Sequence, residues 1–177
     1  AKRARSAALE AVVTTEAVPG VSYINGMFVR GDGTRLLNSG HSTLLLHLPC
    51  AGMLATVAGN RTKGFKDGES FLAEFNLPTG ITVDRAGDIV LSDMDNHALR
   101  KVAKAGAAVT TLAGNGQPGL QDGRGAAARF NEPRGVVLTR EGEYAVADTG
   151  NHALRVVSDA GEARTLAGNG EAGFQDG

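Results

Sequence analysis

Short segments with alternating or near-continuous hydrophobic positions recur along the chain, and each is bounded by turn-forming residues. Residues 80–84 read Gly-Ile-Thr-Val-Asp, and residues 89–93 read Ile-Val-Leu-Ser-Asp after a turn at Gly87. Alternation with a period of two and a content of β-branched residues are typical of β-strands. Short turns between such runs favour antiparallel hairpins. The pattern therefore predicts many short strands and an all-β fold.

The strand pattern repeats. The sequence Leu-Ala-Gly-Asn-Gly at 112–116 recurs at 166–170, and Val-Ala-Gly-Asn occupies 57–60, so the spacings are 55 and 54 residues. Each unit contains four predicted strands joined by turns, which is the make-up of a propeller blade. A single blade cannot cover both of its own faces, so the blades must pack on one another. We predict a β-propeller of four-stranded antiparallel blades, with about three blades in this chain (a partial propeller).

The repeat divides the chain into successive units. Residues 61–115 and 116–169 are two well-preserved blades, and residues 20–60 form a degenerate blade in which Ser-Gly-His-Ser-Thr at 39–43 replaces the acidic turn. Residues 170–177 begin the next connector. Residues 1–19 fit no strand, and their Ala-, Arg- and Glu-rich composition predicts an N-terminal helix or linker. We expect the chain to be part of a longer protein or to complete a ring by self-association.

An acidic turn motif ends the second strand of both well-preserved blades. It places Asp93, Asn96 and His97 in one blade and Asp148, Asn151 and His152 in the next. With Gly-Phe-x-Asp-Gly at 64–68 and 173–177, these segments resemble the long variety of the NHL repeat. The resemblance covers residues 57–177 well and 20–56 weakly, and Ala98 and Ala153 stand where the motif has leucine. It implies a propeller, commonly of six blades, of a family used in protein and RNA recognition, with related lyases and hydrolases that hold a central metal.

The motif residues invite a catalytic or metal-binding interpretation, because histidine and aspartate are common ligands and proton carriers. However, His97 and His152 occupy equivalent positions in successive blades, so they lie at matching turns and do not converge on one point. Asp93 and Asp148 with their asparagines fit turns in which short polar side chains bond the nearby backbone. We therefore predict a structural role for these residues, with no catalytic site, no metal and no cofactor.

Four basic residues follow the motif: Arg100, Lys101, Lys104 and Arg155. They could form a basic rim that steers an acidic partner or RNA, although a solvated outer strand explains them more simply. A formal net charge of −1, from 18 Lys and Arg against 19 Asp and Glu, does not favour a general nucleic-acid binder. No aromatic stacking surface accompanies these charges.

These observations favour a non-enzymatic scaffold for protein–protein interaction within a larger protein or assembly. The alternatives are a propeller lyase or hydrolase with a central metal and an RNA-binding module. An enzyme would need inward polar residues on the first strands, where the sequence has mostly apolar ones such as Ile81 and Val136. The single cysteine, Cys50, cannot form an intramolecular disulfide, and no apolar run reaches the ~20 residues that span a bilayer. Localisation stays open, with a soluble, intracellular protein slightly favoured and no membrane partner expected.

Overall fold

A computed structural model describes residues 24–40, 43–48, 53–104 and 108–173. The predicted helix or linker at 1–19 lies outside these residues, as do residues 174–177 of the predicted final connector. Within the described residues, no helix is long and apolar enough to cross a membrane.

The described residues form three antiparallel sheets, one for each predicted blade. The first sheet has the order β1-β2-β3-β4, the second β5-β9-β8-β7-β6, and the third β10-β14-β13-β12-β11. These sheets confirm the predicted all-β fold with four-stranded antiparallel blades. The strands are β1 Ile24–Val29, β2 Arg35–Ser39, β3 Thr43–Leu48, β4 Met53–Ala58, β5 Gly68–Glu69, β6 Pro78–Val83, β7 Ile89–Asp93, β8 Ala98–Val102, β9 Ala108–Ala113, β10 Gly123–Arg124, β11 Pro133–Leu138, β12 Tyr144–Asp148, β13 Ala153–Val157 and β14 Glu162–Ala167.

The two short strands β5 and β10 belong to the connectors between blades. β5 pairs with β9, and β10 pairs with β14, so each connector adds a fifth, outermost strand to the blade that follows it. The remainder of each connector crosses towards the inner strand of its blade. A connector that hydrogen-bonds to the outer strand therefore runs along the blade from its outer edge to its inner edge.

The hairpins use turns that match their sequence. Between β6 and β7, the amide of Gly87 donates to the carbonyl of Asp84 (3.1 Å), and Gly87 has φ = 94°. This left-handed conformation favours glycine, because a Cβ would be strained there. The Asp84 carboxylate also accepts the Asp88 amide (2.8 Å), which closes the turn. The local sequence thus fixes where the hairpin reverses.

The core lies between the blades. One buried cluster joins the first and second blades, and it includes Leu36 and Phe75. A second cluster joins the second and third blades, and it includes Leu99 and Phe130. Because alternate side chains of a strand point to opposite faces, the second blade contributes to both clusters. Each blade is stabilised by burial against its neighbours, as the repeat predicts.

Candidate functional site

The acidic turn of the second blade is tied to the connector that precedes the blade. After β7, residues Met94–Asn96 form a 3-10 turn that ends at His97 in the left-handed conformation (φ = 49°). The Asp93 carboxylate accepts the Asn76 amide (2.8 Å) and the side-chain amide of Asn96 (2.8 Å). Asn96 also donates to the Gly64 carbonyl (2.7 Å). These bonds hold the turn against the connector.

Arg100 on β8 completes this network. Its guanidinium donates to the carboxylate of Asp93 (2.7 Å) and to that of Asp67 (2.7 Å). It also donates to the carbonyls of Glu74 (3.0 Å) and Lys66 (2.8 Å). The side chains of Arg100 and Asp93 are both fully buried. Buried charges of this kind are tolerated when they are paired and hydrogen-bonded, and here they join the strand, the turn and the connector.

Aromatic rings cover the buried guanidinium. The Arg100 guanidinium carbon lies 5.0 Å from the ring centre of Phe65 and 5.1 Å from that of Phe75. In the third blade, Arg155 lies 4.9 Å from the ring centre of Phe130. A cation over an aromatic face within about 6 Å gains electrostatic stabilisation, which grows when water is excluded. The arginines are therefore held by charge, hydrogen bonds and ring contacts together.

The third blade repeats the network. Arg155 donates to the carboxylates of Asp148 (2.9 Å) and Asp122 (2.9 Å). Asn151 donates to Asp148 (2.8 Å) and to the Gly119 carbonyl (2.8 Å). The same residue types thus make the same bonds in two blades, and in both they are engaged within the fold.

The two motif histidines have different surroundings. The Nδ1 of His97 accepts the backbone amide of Glu132 (3.1 Å), which lies on the connector of the third blade. His152 has the same left-handed backbone (φ = 49°) but is exposed. His97 therefore links two blades, and the two rings do not meet at a common site. Among the described residues, no group of three or more His, Cys, Asp or Glu side chains is placed to hold a metal ion.

A second ionic cluster lies between the second and third blades. The Lys101 ammonium is 2.9 Å from Asp84, 3.3 Å from Asp88 and 2.7 Å from Asp159. The Tyr144 hydroxyl donates to Asp159 (3.0 Å). The third blade has Val156 and not a lysine at the position equivalent to Lys101. The third blade therefore does not repeat this cluster.

The ionisation of the cluster follows from these contacts. The Lys101 hydrogen bond holds the pKa of Asp159 below its ordinary value, against a smaller opposing effect of burial. Burial works against the ionisation of Asp84, but hydrogen bonds from Lys101 and the Asp88 amide outweigh it and lower the pKa of Asp84. Burial also opposes the charge of Lys101, yet Asp159 and Asp84 raise the pKa of Lys101 above its ordinary value. All three groups are therefore charged at neutral pH.

The predicted basic rim is wrong for three of its four residues. Arg100 and Arg155 are fully buried, and Lys101 is about four-fifths buried (18% exposed) within its ion pairs. Only Lys104, which follows β8, is exposed among the four. Strand alternation does separate Arg100 from Lys101, but each face of β8 is covered, one by the connector network and the other by the third blade. No continuous basic surface results from these residues.

The inner strands β1, β6 and β11 lie side by side, with β6 between the other two. A groove of about 420 Å³ follows their exposed surface. Each strand contributes a polar residue, then a glycine, then an apolar residue. The lining consists of Asn25, Gly26, Met27, Thr79, Gly80, Ile81, Arg134, Gly135 and Val136.

The glycines of these strands allow neighbouring blades to approach closely. A Cβ on Gly26 would collide with the Thr79 carbonyl, and one on Gly80 would lie 2.7 Å from the Val136 amide nitrogen. Gly135 is equivalent, but a Cβ there would meet only the Cβ of Ala147, at 3.6 Å. No described residue therefore approaches Gly135 closely enough to require a glycine at this position.

The face of the third blade that points away from the second blade is apolar and exposed. Val137 is 59% exposed, Leu154 39% and Leu166 55%. Leu99 and Leu112, which are equivalent to the two leucines, pack in the cluster between the second and third blades. This face therefore has the composition of an interface and is uncovered in the described structure.

A family model for the NHL repeat matches the chain twice, at residues 75–102 and 130–157. The chain contains two NHL repeats. Each NHL match covers the first three strands of one blade and includes the aspartate, asparagine and arginine of its network, whose connector partners lie just before the match. The motif of the family therefore coincides with the residues that tie each blade to its connector.

Two curated proteins share this repeat region. Protein SUPPRESSOR OF QUENCHING 1, chloroplastic, from Arabidopsis thaliana is 37% identical over 95 residues, which are 52% of this chain and 9% of that protein. NHL repeat-containing protein 2 from Homo sapiens is 36% identical over 96 residues, which are 53% of this chain and 13% of that protein. The chain therefore spans about a tenth of the length of the curated relatives it matches.

A solved structure has the same fold. A structural genomics protein of unknown function from Bacteroides thetaiotaomicron superposes with a TM-score of 0.61 at 25% identity. The match covers 76% of this chain and 32% of that chain. It supports the arrangement of successive blades seen here.

Sequence reasoning did not assign the roles of several residues in these networks. Asp67 and its equivalent Asp122 each precede a glycine on a connector, and each pairs with a buried arginine. A signal was present, because both aspartates recur together with Arg100 and Arg155 at a spacing of 33 residues. Residues of opposite charge that recur together at a fixed spacing indicate a buried ion pair and not an exposed basic rim.

Proposed function

We propose that the chain is an interaction scaffold in which the third blade packs against a further propeller blade. That blade comes from a second copy or from a longer protein that contains this segment. The assembled propeller then presents its surfaces to a protein partner. The observation that carries this proposal is Gly135, a glycine with open space at a position where two other blades need glycine for close packing.

The comparison of the inner strands supports this proposal. At Gly26 and Gly80, the residue of the following blade that approaches is on its inner strand. Neither glycine has the positive φ that would favour glycine for its own conformation. Close approach is thus the physical reason for glycine at these positions. The same reason at Gly135 requires a further inner strand.

The exposed side chains of this face agree with the same occupant. Val137, Leu154 and Leu166 lie on one face, and large exposed apolar patches on soluble domains mark interaction sites. Ala147 stands where Ser92 donates a hydrogen bond to the Arg134 carbonyl (2.8 Å). The occupant of this face therefore meets a more apolar surface than the third blade meets on the second.

Light scattering on the 177-residue chain over a range of concentrations tests the proposal. We expect a mass of at least two chains, and Gly135→Ala should return the protein to a monomer that keeps its β-sheet circular dichroism spectrum. Phe71→Asp is the matched control, because Phe71 is 63% exposed on a connector and should leave the mass unchanged. A monomer at every concentration excludes a second copy as the source of the further blade and leaves a longer protein as its source. An assembly that is insensitive to Gly135→Ala contradicts the proposed use of this face.

A further inference from the structure

The three blades contribute side chains of different chemistry to the inner groove at one position of the strand. The residue before each glycine is Asn25, Thr79 or Arg134, whereas the residues that follow are a glycine and an apolar side chain in all three strands. Repetition explains the glycines, because they allow blades to pack. It does not explain why a polar side chain of a different kind precedes each of them at the groove.

Arg134 provides the only charge among the residues that line the groove. Its backbone carbonyl is fixed by hydrogen bonds from Ser92 (2.8 Å) and Thr79 (3.0 Å). Its side chain is 53% exposed, and among the described residues its guanidinium has one ion-pair partner, Glu132, at 3.5 Å. A well-formed bond between a guanidinium and a carboxylate is about 2.7–2.9 Å long and is often bidentate. The backbone of Arg134 is therefore fixed, whereas the contact of its guanidinium with Glu132 is longer than a strong bond to a carboxylate.

We propose that this groove binds a carboxylate of a partner protein through Arg134, with Glu132 as an internal competitor for the same guanidinium. The inference rests on the proposed scaffold function and names the chemistry that a partner would present. A guanidinium matches a carboxylate through two parallel N–H···O bonds. Glu132 already shows the kind of group that Arg134 attracts, at a distance too long for a strong bond.

An acidic peptide fits the groove better than a nucleic acid does. The lining contains one cation, and so it neutralises one negative charge. Binding of a polyanion depends on several cations, and single-stranded RNA is also held by stacking on aromatic rings. No residue of the lining is aromatic. A single carboxylate beside an apolar contact from the half-buried Met27 is the matching ligand.

Titration of the full chain with a blocked pentapeptide that has one central glutamate tests this inference, observed through the backbone amide signals of β1, β6 and β11. The same peptide with glutamine and inorganic phosphate are the comparison ligands, all at low salt. We expect the glutamate peptide to bind and Arg134→Gln to weaken it by about tenfold or more. Glu132→Gln should strengthen binding about two- to fivefold, because it removes the competing carboxylate. Arg140→Gln, at an exposed arginine outside the groove, should change nothing.

Equal binding of the glutamine peptide overturns the inference, as does equal binding by Arg134→Gln. Phosphate that binds as tightly as the glutamate peptide also overturns it, since the groove would then be an unselective anion site. These outcomes are separate from the scaffold proposal, which is judged by mass. A chain that associates through Gly135 but binds no acidic peptide refutes the groove alone.

Discussion

Replacing the buried arginine of the second blade tests the structural role of the NHL motif. Arg100→Met keeps most of the side-chain volume but removes all four hydrogen bonds of the guanidinium. Asp93 then stays fully buried without its cation. Removing one partner of a buried ion pair costs about 3–5 kcal/mol, because the remaining charge is unpaired. We expect the free energy of unfolding to fall by this amount.

The third blade offers a matched comparison. Arg155→Met removes an equivalent buried pair, but Arg155 contacts one aromatic ring where Arg100 contacts two. We therefore expect Arg155→Met to cost less than Arg100→Met by roughly 0.5–1 kcal/mol, the value of one cation–π contact.

Urea unfolding followed by circular dichroism measures both losses, with an unchanged slope against urea as evidence that the folded state stays compact. The double variant Arg100→Met with Asp93→Asn should lose less than the sum of the two single variants, because the first change has already broken the pair. A loss below about 1 kcal/mol for Arg100→Met would refute the reasoning, since surface ion pairs contribute this little.

Two further predictions concern the contacts between blades. Lys101→Met should lower the free energy of unfolding by about 1–2 kcal/mol at pH 7, a value reduced for the partial exposure of the cluster. The lowered pKa values of Asp84 and Asp159 mean that this contribution is present above about pH 4 and is lost as the pH falls through their folded-state pKa values. Unfolding at pH 3 and pH 7 should thus show a smaller effect of Lys101→Met in acid, and an equal effect would contradict the ionic role. His97→Ala should lower the free energy of unfolding by about 0.5–1.5 kcal/mol more than His152→Ala does, as measured by thermal unfolding. Both histidines share the left-handed backbone, but of the two only His97 accepts a hydrogen bond from the next connector. Equal losses of stability would argue against that bond.

The repeat predicted the sheets well because the blade is a local structure. Alternation and turn residues define a hairpin within a few positions, as Asp84 and Gly87 do between β6 and β7. The spacing of the units then predicts how many blades are present. Each of these signals lies within one repeat, so a single sequence is enough to read them.

The environment of the charged residues could not be predicted in the same way. Alternation separates Arg100 from Lys101, but it does not say which face meets water, and in a propeller both faces of a blade are covered. Arg100 is buried by a connector residue, Asp67, 33 positions earlier. Lys101 is buried by Asp159, 58 positions later, on another blade. Such partners depend on how blades and connectors pack, which the local pattern does not contain.

The role of Gly135 also depends on packing that the local pattern does not contain, and the proposed interface of the third blade rests on this residue. The sequence contains a glycine at 26, 80 and 135, but only the packing of the first two explains why glycine is there. An experimental structure of the assembled protein tests this explanation most directly. We predict that a backbone carbonyl of a further inner strand lies against the Cα of Gly135, as the Arg134 carbonyl lies against Gly80. An assembly in which Gly135 faces solvent, with Val137 and Leu166 uncovered, would contradict the account.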